Sequence, residues 1–173
     1  MGQFTNKVIL ITGATSGIGK ALALQMAGKN VHLILAARRL DELKLVQVEC
    51  EKKAAICTCL YIDMASPAAI EEFVAAVFKQ FQKIDILVNN AGISQRSQAE
   101  ETAIEVDRKI MEVNFFAQVN LTKSLWPLII NSAHANIVLI SSVVGTFGFP
   151  QRSGYAASKH ALEGFFESWM LEN

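Results

Sequence analysis

Tyr155 and Lys159 stand four residues apart, a spacing that puts two side chains on one face of a helix. A free phenol has a pKa of about 10, too high for efficient proton transfer at neutral pH. An ammonium beside it favours the phenolate and lowers that value. Ser142 lies thirteen residues before the tyrosine, and a hydroxyl opposite the pair would hold a carbonyl oxygen in place. Tyr-x-x-x-Lys is common by chance. Its weight comes from the serine and from its position after the last of five strand-like runs.

A second group of residues suits a phosphate-bearing ligand. Thr12-Gly13-Ala14-Thr15-Ser16-Gly17-Ile18-Gly19 joins a strand-like run to a helical one. Such a turn lets backbone approach a pyrophosphate, and the helix behind it offers N–H groups and a positive dipole end. The spacing is Gly-x-x-x-Gly-x-Gly rather than Gly-x-Gly-x-x-Gly, and a purely structural tight turn is the alternative. After the second run, Ala36-Ala37-Arg38-Arg39 holds no carboxylate to bind a ribose 2′-hydroxyl. Arg38 suits a 2′-phosphate instead, or else is a solvated helix-start arginine. Asp63 would accept from an adenine amino group, or be an ordinary turn residue. Asn89-Asn90-Ala91-Gly92 permits close contact with a ribose.

These residues need elements to carry them. Strand-like runs at 8–11, 31–36, 57–62, 84–88 and 137–140 alternate with helix-period segments at 17–28, 40–53, 67–81, 102–131 and 154 to the last residue. Ser66 with Pro67 marks one helix start, and Thr102 with Glu105 a possible capping box at another. Runs apolar on both faces, alternating with helices, predict an α/β fold with a parallel sheet between helices. Ligands in such sheets bind beyond the carboxyl ends of the strands, where every residue singled out above sits.

The composition excludes several other classes. Lys+Arg and Asp+Glu number 16 each, for a formal charge of zero, so phosphate neutralisation by a basic surface is not the mode of action and no nucleic-acid partner is expected. The residues are 51% hydrophobic and 18% charged, against roughly 25% charged in an average domain, which favours a large core. No apolar run reaches the roughly 18 residues of a membrane span. Cys50, Cys57 and Cys59 are too few for a disulfide framework. Cys57 and Cys59, on one face of a strand-like run, read as buried core thiols; a reducing, cytoplasmic compartment is expected, and no metal-ligand spacing appears. His32, His134 and His160 have no partners at ligand spacing. Trp126, Trp169 and Phe115, Phe116, Phe165 and Phe166 read as core or interface aromatics.

Taken in order and spacing, Thr-Gly-x-x-x-Gly-x-Gly at 12–19, Asp63, Asn-Asn-Ala-Gly at 89–92, Asn114, Ser142 and Tyr155-x-x-x-Lys159 resemble the short-chain dehydrogenase/reductase family along essentially the whole chain. Residues 93–97 and the Ala-Ala-Arg-Arg stretch resemble, more loosely, its microsomal-type members, which act on steroid, retinoid or other apolar carbonyls. The resemblance implies a single NAD(P)-binding domain over 1–173: a Rossmann-type doubly wound sheet of five strands in the order 3-2-1-4-5, with helices on both faces. It implies an oxidoreductase that interconverts a small-molecule alcohol and carbonyl by hydride transfer, with NADP(H) favoured over NAD(H). In that assignment Tyr155 is the general acid or base. Lys159 tunes it and holds ribose hydroxyls, Ser142 orients the substrate oxygen, and Asn114 supports a water relay through Lys159. Gly13, Ser16, Gly17, Ile18 and Gly19 line the cofactor phosphates and ribose, Arg38 reads the 2′-phosphate, Asp63 the adenine, and Asn90 a ribose.

Relatives of that kind continue past the last helix to a sixth strand, a Pro-Gly loop, a substrate lid and a seventh strand. The 173 residues given stop at Leu171-Glu172-Asn173. The expectation is a chain that associates through its last two helices as a homo-oligomer, or a piece of a longer gene product. A non-catalytic nucleotide-binding or interaction module and an inactive truncated product are the competing functions.

Overall fold

The computed structural model describes residues 3–173. Five strands form one parallel sheet: β1 (Val8–Thr12), β2 (His32–Ala37), β3 (Ile56–Tyr61), β4 (Ile86–Asn89) and β5 (Asn136–Leu139). Their order is β3-β2-β1-β4-β5, flanked by helices, as the doubly wound reading requires. The helices are α1 (Gly17–Met26), α2 (Leu40–Glu51), α3 (Pro67–Gln80), α4 (Ile104–Met111), α5 (Ala117–Ile129) and α6 (Ser153–Glu172).

Two compact units are distinguishable. The first comprises residues up to Ala91 with Leu121–Leu139, and holds the whole sheet. Its central strands bury consecutive residues: Ile9, Leu10 and Ile11 in β1, and Leu33, Ile34 and Leu35 in β2. A strand covered on both faces has no polar side to show. Each such side chain contributes roughly 1.5–3 kcal/mol by leaving water. β3 and β5 each pair with one neighbour and are only half-buried. The cysteine expectation needs correction for that reason. Cys50 on α2 is buried, but Cys57 and Cys59 on β3 are half-exposed, and Cys59 Sγ donates to Gln47 Oε1 at 3.3 Å.

Local signals decide the helix starts. Ser66 Oγ accepts from Ala69 N at 3.3 Å, with Pro67 at the first helical position, as expected. The Thr102–Glu105 capping box does not form. Ala103 occupies the cap position without a side-chain bond. Thr102 Oγ1 instead donates to Gln98 O at 2.7 Å and meets Ser97 Oγ at 2.6 Å, a local turn that competes with capping. The strand expected from residue 84 starts two residues later, because the Ile84 N–H turns to Leu128 O at 2.9 Å.

The second unit comprises Gly92–Asn120 and Ile140–Asn173. The helix expected over 102–131 is interrupted by a π-helical segment, Glu112–Phe116, that buries Asn114. Such widened turns recur at functional sites. An edge-to-face aromatic series runs from Phe116, itself exposed, through Phe115 to Phe165 and Phe166 on α6.

One buried carboxylate organises the first unit. Asp85 is 1% exposed and accepts from Val8 N at 2.8 Å, Ser132 Oγ at 2.6 Å and Lys83 Nζ at 3.0 Å. Burial alone would raise its pKa. The hydrogen bonds from Ser132, Val8 and Lys83 outweigh that and hold it below the usual carboxylate value. Its contribution to stability is therefore complete above the unfolded carboxylate's pKa of about 3.9, and is lost as pH falls through the lower folded value. Asp85→Asn is expected to remove this part of the acid destabilisation and to cost about 1–3 kcal/mol at neutral pH. Urea melts of both proteins between pH 3 and 7 check it, and parallel pH profiles would contradict it.

Candidate active site

The first unit supplies the glycine turn. Gly13 N donates to Ala36 O at 2.8 Å, and Thr12 Oγ1 accepts from Asn90 N and Ala91 N, both at 3.0 Å. Asn90 Nδ2 donates to Thr12 O at 2.8 Å and Gly13 O at 3.2 Å. The loops after β1 and β4 thus brace each other beyond the carboxyl ends of neighbouring strands. Asn90 was expected to meet a ribose, but its amide nitrogen holds the turn, which leaves Oδ1 for any ligand.

The turn is built for close approach. A Cβ on Gly19 would sit inside contact distance of Gly13 O and Asn90 Nδ2, whereas one on Gly17, at φ +54°, would meet nothing within 4 Å. The inner glycine lets the turn fold on itself, and the outer one leaves its outer face open. Ser16, Gly17 and Ile18 are exposed there, at the start of a helix with no acidic residue in its first turn. First-turn N–H groups have no intrahelical acceptor, so this arrangement fits a diphosphate.

The charged residues nearby divide into paired and unpaired. Arg39 donates to Thr15 Oγ1 at 3.2 Å and pairs with Glu42 at 2.7 Å. Arg38 is exposed and forms no ion pair among the described residues. Asp63 is half-buried and accepts from Ala65 N through Oδ1 at 3.0 Å, leaving its second oxygen for a ligand.

The second unit brings together Asn114, Ser142, Tyr155 and Lys159. Lys159 is 3% exposed; its Nζ donates to Ile140 O at 2.7 Å and lies 5.8 Å from the centre of the Tyr155 ring, within cation–π range. Burial pushes the ammonium below its ordinary pKa, and the Glu163 carboxylate opposes this more weakly. Ser142 and Tyr155 both line a cleft of about 470 Å³ with Ser94, Arg152 and the apolar residues Val143, Val144, Phe147 and Phe149. That volume falls within the roughly 300–1,000 Å³ of small-molecule sites.

Asn114 is buried and uses both ends of its amide. Oδ1 accepts from Ile93 N at 2.8 Å, while Nδ2 donates to Ile93 O at 2.8 Å and Ser158 Oγ at 3.0 Å. Ser158 Oγ in turn donates to Tyr155 O at 2.7 Å. These side-chain bonds run to the backbone that carries the tyrosine rather than to Lys159.

The family model for short-chain dehydrogenases matches residues 7–173. The chain belongs to the short-chain dehydrogenase family. A Drosophila melanogaster dehydrogenase/reductase, SDR family protein 7-like, is 43% identical over 98% of this chain and 53% of its own length. A short-chain dehydrogenase from Shigella flexneri solved in complex with NADP superposes with a TM-score of 0.92 at 26% identity, over 98% of this chain and 72% of that one. An NAD+-bound xylitol dehydrogenase gives 0.92 at 26%, over 99% and 66%. This short-chain dehydrogenase chain spans about half the length of the curated relatives it matches. None of its described helices is long and apolar enough to cross a membrane.

Sequence reasoning missed Gln95 and Arg152. Gln95 Oε1 accepts from Tyr155 N at 3.1 Å. Arg152 donates to Ser94 Oγ and Gln95 O, both at 2.6 Å. Both residues act across about sixty positions of chain, and no local spacing reports that. Asn114→Ala in this dehydrogenase chain is expected to leave the Ile93 peptide unpaired and to lower stability by about 1–3 kcal/mol. Chemical denaturation measures it, and an unchanged midpoint would contradict the bracing role.

Proposed function

We propose that this chain carries the cofactor-binding and proton-transfer parts of an NADP(H)-dependent oxidoreductase that interconverts an alcohol and a carbonyl. The observation that carries the reading is the tyrosine of the cleft, with Ser142 in the same wall and a buried ammonium at its ring. In the reducing direction, Ser142 Oγ donates a hydrogen bond to the substrate carbonyl oxygen. Tyr155 then transfers its phenolic proton to that oxygen, and in oxidation the same group takes the proton back. Lys159 favours the phenolate left behind, and Asn114 holds the Tyr155-bearing backbone. The nicotinamide, when bound, supplies or accepts the hydride at the carbonyl carbon.

The glycine turn would hold the cofactor's diphosphate, Asp63 Oδ2 its adenine and Asn90 Oδ1 a ribose. Arg38 is the cation beside the turn that Glu42 does not neutralise, which supports a 2′-phosphate partner and hence NADP(H). Val143, Val144, Phe147 and Phe149 favour a substrate with an apolar body. Association of chains through α5 and α6 belongs to the same reading.

Two experiments test it. Tyr155→Phe is expected to cut carbonyl reduction by at least about a hundredfold while NADPH affinity stays unchanged; undiminished turnover would overturn the assignment. Fluorescence titrations with NADPH and NADH are expected to favour NADPH. Arg38→Ala should then weaken NADPH about tenfold or more and leave NADH unaffected. Equal affinities in the wild type would remove the proposed role of Arg38.

A further inference from the structure

We infer that Gln95 is a positioning residue for Tyr155, acting as a helix cap supplied from a distant loop. The inference rests on the proposed proton transfer by Tyr155. α6 begins at Ser153, and its cap residue, Arg152, makes no side-chain cap bond. Tyr155 is the third residue of that helix, where the backbone N–H ordinarily needs a capping acceptor. Gln95 Oε1 provides it at 3.1 Å.

The Gln95 side chain is fixed for that purpose. The residue is 8% exposed, and its Nε2 is buried without a hydrogen-bond partner. A buried donor left unmade is unfavourable, so this side chain is not placed to satisfy itself. The loop grips back: Arg152 donates to Gln95 O and Ser94 Oγ, both at 2.6 Å. Arg96 Nε donates to Gln151 Oε1 at 3.3 Å, and Gln151 adopts the left-handed φ of +61°, which non-glycine residues rarely occupy. The cap and the Arg152 bonds form a reciprocal clasp at the base of the phenol. Ser94, Arg152 and Tyr155 all face the cleft, so releasing the clasp shifts the phenol relative to the bound carbonyl.

The test uses the full chain with Gln95→Leu, which has no acceptor, and Gln95→Glu, which restores one. In Gln95→Leu the Tyr155 amide should exchange with deuterium at least about tenfold faster than in the wild type. Its kcat for carbonyl reduction should fall about tenfold to a hundredfold, with KM and NADPH affinity little changed. Gln95→Glu should recover both readouts. Should Gln95→Leu not fold, Gln95→Met makes the same comparison. Slow exchange at Tyr155 without an acceptor at 95, or failure of Gln95→Glu to recover exchange and kcat, overturns the inference. The exchange readout does not depend on turnover. A wild-type chain inert to carbonyls would therefore contradict the oxidoreductase reading, while the cap would still be decided by exchange.

Discussion

The buried ammonium of Lys159 is the constraint on which the candidate site depends. An ammonium removed from water is costly unless its hydrogens find acceptors. Here the Ile140 carbonyl takes one at 2.7 Å, and the face of the Tyr155 ring lies 5.8 Å away. Ile140 opens the segment that carries Ser142, and Lys159 stands one helical turn beyond Tyr155 on α6. One charge therefore joins the serine-bearing backbone to the tyrosine-bearing helix. The lowered pKa is the electrostatic sign of the same burial.

Around that charge, backbone hydrogen bonds do most of the positioning. Asn114 clasps the Ile93 peptide and passes through Ser158 to the Tyr155 carbonyl. Gln95 takes the Tyr155 N–H. The tyrosine peptide is thus held at both its donor and its acceptor, which leaves the side chain free to work in the cleft. The glycine turn of the first unit is braced in the same way, by Asn90 Nδ2 and Thr12 Oγ1 bonding backbone. In both units, side-chain amides hold backbone in place.

The fold was largely legible because its signals are local. Apolar runs such as Val8–Thr12 and His32–Ala37 have no polar face, and only a sheet covered on both sides uses such strands. Ser66 and Pro67 mark a helix start by their own chemistry. The spacing of Ser142, Tyr155 and Lys159 also survives into three dimensions, since two of the three share one helix. What was not legible depends on tertiary choice. The Thr102 hydroxyl had a nearer acceptor than the helix it was expected to cap. The π-helical segment at Asn114 changes no residue pattern. Cys57 and Cys59 read as core residues although the expected strand order already put β3 at the sheet edge, where they are half-exposed. Gln95 and Arg152 act through contacts that no periodicity encodes.

The most direct test of this account is a pH titration of the Lys159 side chain, followed by NMR of its Cε and Nζ and assigned with Lys159→Met. The account predicts an inflection clearly below the ordinary lysine value of 10.5 and below the exposed lysines of the same chain. An inflection shared with those exposed lysines would mean that the ammonium is hydrated rather than buried against Ile140 and Tyr155, and would contradict the account.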